Sequence, residues 1–258
     1  MRVAGSVALA VLTTACGKDI LVGADPASDA GENPGQDGGL SPLTVPWSSG
    51  FENGFGDWSQ PSSEGFCYVA GGATYAIVTS PVHSGQYAAA FTVDTAVNSP
   101  SQTRCVRQGV LPASAYYGAW YYVSAPATNR GNWNLFHFQG ASAPDAAVTE
   151  LWDVSLVNEP DGAVAPSVYD FLRARPLAAG PAIPIGIWFH LEARLNRSAS
   201  NAGEFTVYLD GSVVLDVSGL ETDSTLWGQW FVGNYATSLL PSPSTVYVDD
   251  VTIEMSGP

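Results

Sequence analysis

Residues 188–195 read Trp188-Phe189-His190-Leu191-Glu192-Ala193-Arg194-Leu195. Phe, Leu, Ala and Leu alternate strictly with Trp, His, Glu and Arg. Successive side chains of a β-strand point to opposite faces, so the first set packs into a core and the second stands on an outer face. A short way on, Phe205-Thr206-Val207-Tyr208-Leu209 and Val213-Val214-Leu215 flank Asp210-Gly211, two β-rich runs around a hairpin turn. Val246 to Ile253 forms a closing strand. Other runs of the same kind lie near 75–79, 87–93, 116–123, 133–139, 151–157, 168–173 and 229–235. No stretch of twelve residues carries a 3.6-residue period, and no repeat is present. The chain is therefore expected to be all-β, an antiparallel β-sandwich of the jelly-roll kind spanning 46–258.

Composition agrees. Of 258 residues, 11% are aromatic, ample for one large core. Charged residues make up only 13%, against roughly 25% in ordinary soluble domains. The net charge is −15, and Lys18 is the only lysine. A chain this poor in cations cannot neutralise an extended phosphate backbone, so nucleic acid is excluded as a partner. Polyanions in general are repelled at long range unless an Arg is focused in a cleft.

The amino terminus reads as an address label. Met1-Arg2 is followed by an apolar run from Val3 to Leu12, too short to span a bilayer, and then by Thr13-Thr14-Ala15-Cys16. These residues resemble the signal peptide and lipobox of bacterial lipoproteins, with the usual Leu one place early at Leu12. The resemblance implies a signal peptide over 1–15 and a lipidated Cys16. The alternative is ordinary cleavage after Ala15 that leaves a free thiol. Residues 16–45 are rich in Gly, Pro, Ala, Ser and Asp and bury too little apolar area to order themselves, as expected of a tether. The protein is thus expected to be exported and anchored in a membrane through lipid alone, at the outer membrane or cell surface. Cys67 and Cys105 are the cysteines left in the domain. In an oxidising compartment they read as one disulfide, the alternative being two buried thiols.

The parity argument extends to other strands. In Trp133-Asn134-Leu135-Phe136-His137-Phe138-Gln139, the two Phe share one side and His137 shares the other with Gln139. Asp153 and Ser155 share a side of the run that follows Trp152. A sugar-contacting surface is expected from Trp188, His190 and Arg194, with His137, Gln139 and Asp153 on the adjoining surface. The rival reading of residues 188–195 is a solvent face with an Arg–Glu pair and a loop-covered Trp.

Three segments together carry a family resemblance: Phe51-Glu52-Asn53-Gly54 with Trp58, His83-Ser84-Gly85-Gln86-Tyr87, and Tyr247-Val248-Asp249-Asp250-Val251. They are similar to the bracketing strands and turn of concanavalin A-like and carbohydrate-binding jelly rolls. The resemblance implies a structural calcium with Glu52 and Asp250 as side-chain ligands, Asp249 being the alternative to Asp250, and no organic cofactor. Calcium takes hard oxygen ligands, and here carboxylates from opposite chain ends could meet. The other reading is that these acids cap strand ends. Further pieces resemble sandwich-type polysaccharide lyases: Tyr116 to Tyr122, Trp133 to Gln139, Ile187 to Glu192, and Val232-Gly233-Asn234-Tyr235. Carried over, the lyase pattern implies Arg104 and Arg107 on one strand, His137 with Gln139 on a second, and Gly233 with Tyr235 on a third. The sequence departs from that pattern in three ways. The two Arg are three rather than four residues apart, His and Gln are in reversed order, and Phe231 stands where the pattern has Lys.

Two functions follow from these residues. The composition favours a module that binds extracellular polysaccharide without turnover, through aromatic platforms and hydrogen-bonding groups. The alternative is a lyase that performs β-elimination on a uronate-containing glycan, with Arg104 neutralising the carboxylate, His137 taking the proton and Tyr235 delivering one. A structural or adhesion protein is the third class. A retaining glycoside hydrolase needs two carboxylates about 5 Å apart on one strand face, and Glu150, Asp153 and Glu159 have the wrong spacing. Nucleophile-elbow, phosphate-loop and zinc motifs are missing from the sequence.

Overall fold

The computed structural model describes residues 40–258 apart from 62, 128–130, 178–179 and 258. The signal peptide, Cys16 and the tether as far as residue 39 lie outside the described residues. Residues 40–45 lie against the sandwich: the Leu43 N–H donates to the Val110 carbonyl at 3.0 Å, and the Leu43 side chain is buried.

The strands are β1 (Trp47–Ser49), β2 (Gly65–Ala70), β3 (Thr74–Val78), β4 (Ala88–Val93), β5 (Ser101–Gly109), β6 (Ser114–Val123), β7 (Asn132–Ala141) and β8 (Thr149–Asn158). They continue as β9 (Val164–Asp170), β10 (Arg175–Leu177), β11 (Trp188–Asn196), β12 (Gly203–Leu209), β13 (Ser212–Leu220), β14 (Trp227–Ala236) and β15 (Ser244–Glu254). A single 3-10 turn, Gly56–Ser59, interrupts the β-structure of the described residues. Two antiparallel sheets result. One has eight strands in the order β13-β12-β11-β6-β15-β4-β3, with β1 also paired to β15; the other has seven, in the order β10-β9-β8-β7-β14-β5-β2. The fold is an antiparallel jelly-roll sandwich.

The inner faces meet as alternation predicts. Phe189, Leu191, Ala193 and Leu195 on β11 are buried, and so are Phe136 and Phe138 on β7. Trp152 of one sheet stacks on Phe205 of the other with centroids 4.4 Å apart, and Tyr117 meets Phe138 edge-on at 5.1 Å. Trp58, Trp133, Trp152 and Trp230 are fully buried. Strands β2 and β5 escape the sequence reading because Ser101-Gln102-Thr103-Arg104-Cys105 shows little apolar alternation.

Cys67 and Cys105 lie directly opposite each other on β2 and β5 and form the expected disulfide, closing a sequence separation of 38 residues. A loop of that size is expected to stabilise the fold by about 3–4 kcal/mol. The double variant C67S/C105S should lose that amount in urea denaturation; an unchanged midpoint and slope would remove the bond from any account of stability.

Candidate functional site

The outer face of the seven-stranded sheet gathers the lyase-like residues. Register places Tyr68 opposite Arg104, Arg104 opposite Gly233, Phe231 opposite His137, and His137 opposite Asp153. Neighbouring strands lie about 4.8 Å apart, so Tyr68, Arg104 and Gly233 form one short row and Phe231, His137 and Asp153 an adjoining one, two residues along β14. Gly233 makes the first row possible. Its φ is +144°, and an added Cβ would meet the Thr103 carbonyl at 2.4 Å and the Arg104 Cα at 3.0 Å. Only glycine lets β14 approach β5 this closely.

Arg104 is 8% exposed. Its Nη2 donates to Asn134 Oδ1 at 2.6 Å, and its guanidinium carbon lies 4.8 Å from the Tyr235 ring centroid and 5.4 Å from that of Phe231. Burial raises the Tyr68 pKa, while the charge of Arg104 and a hydrogen bond to it act in the opposite sense. The Tyr68 hydroxyl also donates to Gln102 at 3.1 Å. Arg107, by contrast, points into the fold. A separation of three residues sends it to the opposite face of β5, where it is fully buried, bonded to Glu64 at 2.9 Å and to the Trp58 and Gln60 carbonyls. Of the two arginines that the lyase pattern implies, Arg104 alone reaches the site.

His137 sits between two carboxylates, with Asp153 2.6 Å from Nδ1 and Glu150 2.6 Å from Nε2. Its ring packs against Phe231 and Phe171. Burial works to lower its pKa, but the charge and hydrogen bond of Asp153 and those of Glu150 prevail and push it up to about 9. The raised pKa favours the imidazolium, with an N–H directed to each carboxylate, an arrangement unsuited to the proton-abstracting role expected of His137. Glu150 is held below the ordinary carboxylate range, burial opposing and the His137 hydrogen bond and charge prevailing. Beside them an amide chain crosses three strands: Gln139 donates to Gln229, and Gln229 donates to Gln108 at 2.9 Å.

Trp188, His190 and Arg194 do not adjoin this row. Strand β11 belongs to the eight-stranded sheet, so they stand on the opposite side of the sandwich from His137, Gln139 and Asp153, with the core between. Alternation fixes parity within a strand but not which strands are neighbours, and the expected single surface was built from two sheets. The rival reading's Arg–Glu pair within residues 188–195 does not form: Arg194 bonds Glu204 of β12 at 2.9 Å rather than Glu192.

Glu52 and Asp250 each bond the turn at residues 83–87, through different residues of it. Glu52 accepts from the Gln86 and Tyr87 N–H groups at 2.8 and 3.1 Å. Asp250 accepts from the Ser84 hydroxyl and contacts His83 Nδ1 at 2.7 Å, while Asp249 accepts from the His83 and Ser84 N–H groups. Among the described residues no group of three or more His, Cys, Asp and Glu is arranged to hold a metal. Calcium at this corner stands as a proposal, decided by melting curves recorded with calcium and with chelator.

Asn134, Glu150, Gln229, Phe231 and Tyr68 complete the site without having been singled out as its members. Asn134 was hidden by a bulge: Asn134 pairs with Ser155 and Phe136 with Val154, which leaves Leu135 as an extra residue and reverses the parity.

No protein-family model matches the chain, and no curated protein matches it by sequence. Solved structures do resemble it. The endo-β-1,4-glucuronan lyase of the fungus Trichoderma reesei shares 16% identity at a TM-score of 0.57, covering 73% of this chain and 90% of that one. The PL-14 alginate lyase of the marine Aplysia kurodai shares 13% at 0.56, covering 78% and 93%. The cellulose-induced protein Cip1 shares 15% at 0.53, covering 81% and 97%. The chain thus has the jelly-roll sandwich fold found in polysaccharide lyases.

Proposed function

We propose that the outer face of the seven-stranded sheet is the cleft of a polysaccharide lyase that cleaves a uronate-containing glycan by β-elimination. The observation that carries this reading is Arg104. Among the described residues, Arg107, Arg173, Arg175, Arg194 and Arg197 each have a carboxylate within ion-pair distance, and Arg104 has none, Glu150 reaching it only as a longer-range charge. A nearly buried guanidinium without a directly bound counter-ion is costly, and a uronate carboxylate would supply what it lacks. This is a cation focused in a cleft, the circumstance in which an acidic protein can still bind a polyanion.

The chemistry follows from the neighbours. Pairing of the uronate carboxylate with Arg104 and Asn134 stabilises the charge that develops when the adjacent carbon loses its proton. The electron pair of that C–H bond becomes the new C=C bond, and the bond from the β-carbon to the glycosidic oxygen breaks. His137 has both N–H groups committed, so the proton passes through Tyr235. In its ionised form Tyr235 would accept the proton from carbon, and the resulting phenol would return it to the leaving oxygen. The imidazolium of His137 holds Glu150 and Asp153 in place and offsets their charge beside the substrate. An extended polymer as substrate matches the exported, Cys16-anchored location that the amino-terminal sequence predicts.

Incubation with polyglucuronate and with alginate should generate the ultraviolet absorbance of an unsaturated uronate. Retention of polymer with no such product would make the domain a binding module, and neither effect would leave the structural class.

A further inference from the structure

The eight-stranded sheet carries a second surface that the cleft does not use. Register aligns Trp188 of β11, Tyr122 of β6 and Tyr247 of β15 in one row across three adjacent strands. Their ring centroids are 5.6 Å apart between Trp188 and Tyr122, and 5.8 Å between Tyr122 and Tyr247. All three side chains are half-buried on the outer face. Trp120, one row along, is not free: His83 stacks on it at 3.8 Å, and His190 leans against it at 5.2 Å.

Two residues beyond His190 on the same face stands Glu192. It is 5% exposed and has no hydrogen-bond or ion-pair partner among the described residues. Burial and the nearby Glu254 both raise its pKa. Its carboxyl is thus free to accept from a ligand's donors. The surroundings define that ligand. Glu192, Glu204, Asp216 and Glu254 make the face acidic, and its cation Arg194 is already bound by Glu204. An anionic polymer is repelled here. A neutral chain with apolar ring faces and many hydroxyl donors is suited to the aromatic row on this acidic face.

We propose that the outer face of the eight-stranded sheet is a second glycan-binding surface, for a neutral, extended polysaccharide that lies across Trp188, Tyr122 and Tyr247. It is independent of the uronate cleft on the other sheet, so one sandwich would grip a neutral polymer while acting on an acidic one.

The test uses the full chain and calorimetric titration with cello-, xylo- and manno-hexasaccharides, run in parallel with the elimination assay on polyglucuronate. At least one neutral oligosaccharide should bind, and Trp188→Ala should weaken it roughly tenfold or more, as truncation of an aromatic anchor does, with elimination unchanged. Arg104→Met should leave neutral-glycan binding intact. Tyr247→Ala serves as a second variant in case Trp188→Ala does not fold, and the same loss is expected. Binding of none of the three, loss of binding in Arg104→Met, or undiminished binding in Tyr247→Ala and a folded Trp188→Ala would each overturn the second surface. Failure of elimination with neutral binding retained would count against the cleft reading alone.

Discussion

Replacing Arg104 by methionine should lower elimination turnover about a hundred- to a thousandfold, the loss typical when one preorganised stabiliser of developing charge is removed. The same change should leave the melting temperature unchanged or slightly raised. Two observations fix the sign of the second effect. The guanidinium is 8% exposed, and no carboxylate lies within ion-pair distance of it among the described residues. Its desolvation is offset by hydrogen bonds to Asn134 and Tyr68 and by the Phe231 and Tyr235 rings rather than by a carboxylate, so an apolar side chain of similar length removes at least as much cost as benefit. Arg107 is the control on the same strand. Burial lowers its pKa to about 10 against the opposing charge of Glu64, and it bonds Glu64 and two main-chain carbonyls. Removal of Arg107 leaves those acceptors buried and unpaired and should cost about 3–5 kcal/mol. Turnover and thermal melts of both variants decide the matter. If Arg104→Met is as destabilised as Arg107→Met, Arg104 is a structural cation and the cleft loses its anion site.

That contrast shows how far the sequence could be read. Alternation at residues 188–195 and 133–139 gave the sandwich class and the correct inner and outer sets, because a half-buried strand must place its apolar residues with period two. It also carries the distinction between Arg104 and Arg107, since three residues is an odd step. What alternation cannot carry is strand adjacency. His137 and His190 have the same parity on similar strands yet end on opposite sides of the molecule, because β7 pairs with β14 and β11 with β6. Bulges erase parity as well: Asn134 is three residues from His137 and still shares its face. The protonation of His137 was out of reach for the same reason, since Asp153 and Glu150 come to it from across the sheet.

The charge on His137 is where the two elimination mechanisms part. An imidazole ordinarily titrates near pH 6.5, and here the folded state holds it at about 9. A pKa raised on folding contributes stability that is fully present below the unfolded value and is lost as pH rises through the folded one. The contribution is thus complete below about pH 6.5, declines between there and about pH 9, and disappears above. At about 1.4 kcal/mol per unit it amounts to about 3 kcal/mol. His137→Gln removes the charge but keeps a donor. In urea denaturation the wild type should exceed this variant by about 3 kcal/mol or more at pH 6, where Glu150 and Asp153 in the variant face each other without a cation. The gap should narrow steadily towards pH 9.5. A gap that stays constant across that range would mean that His137 is neutral in the folded state. The imidazole would then be free to act as a base, proton abstraction would return to it, and Tyr235 would be left with the leaving oxygen alone.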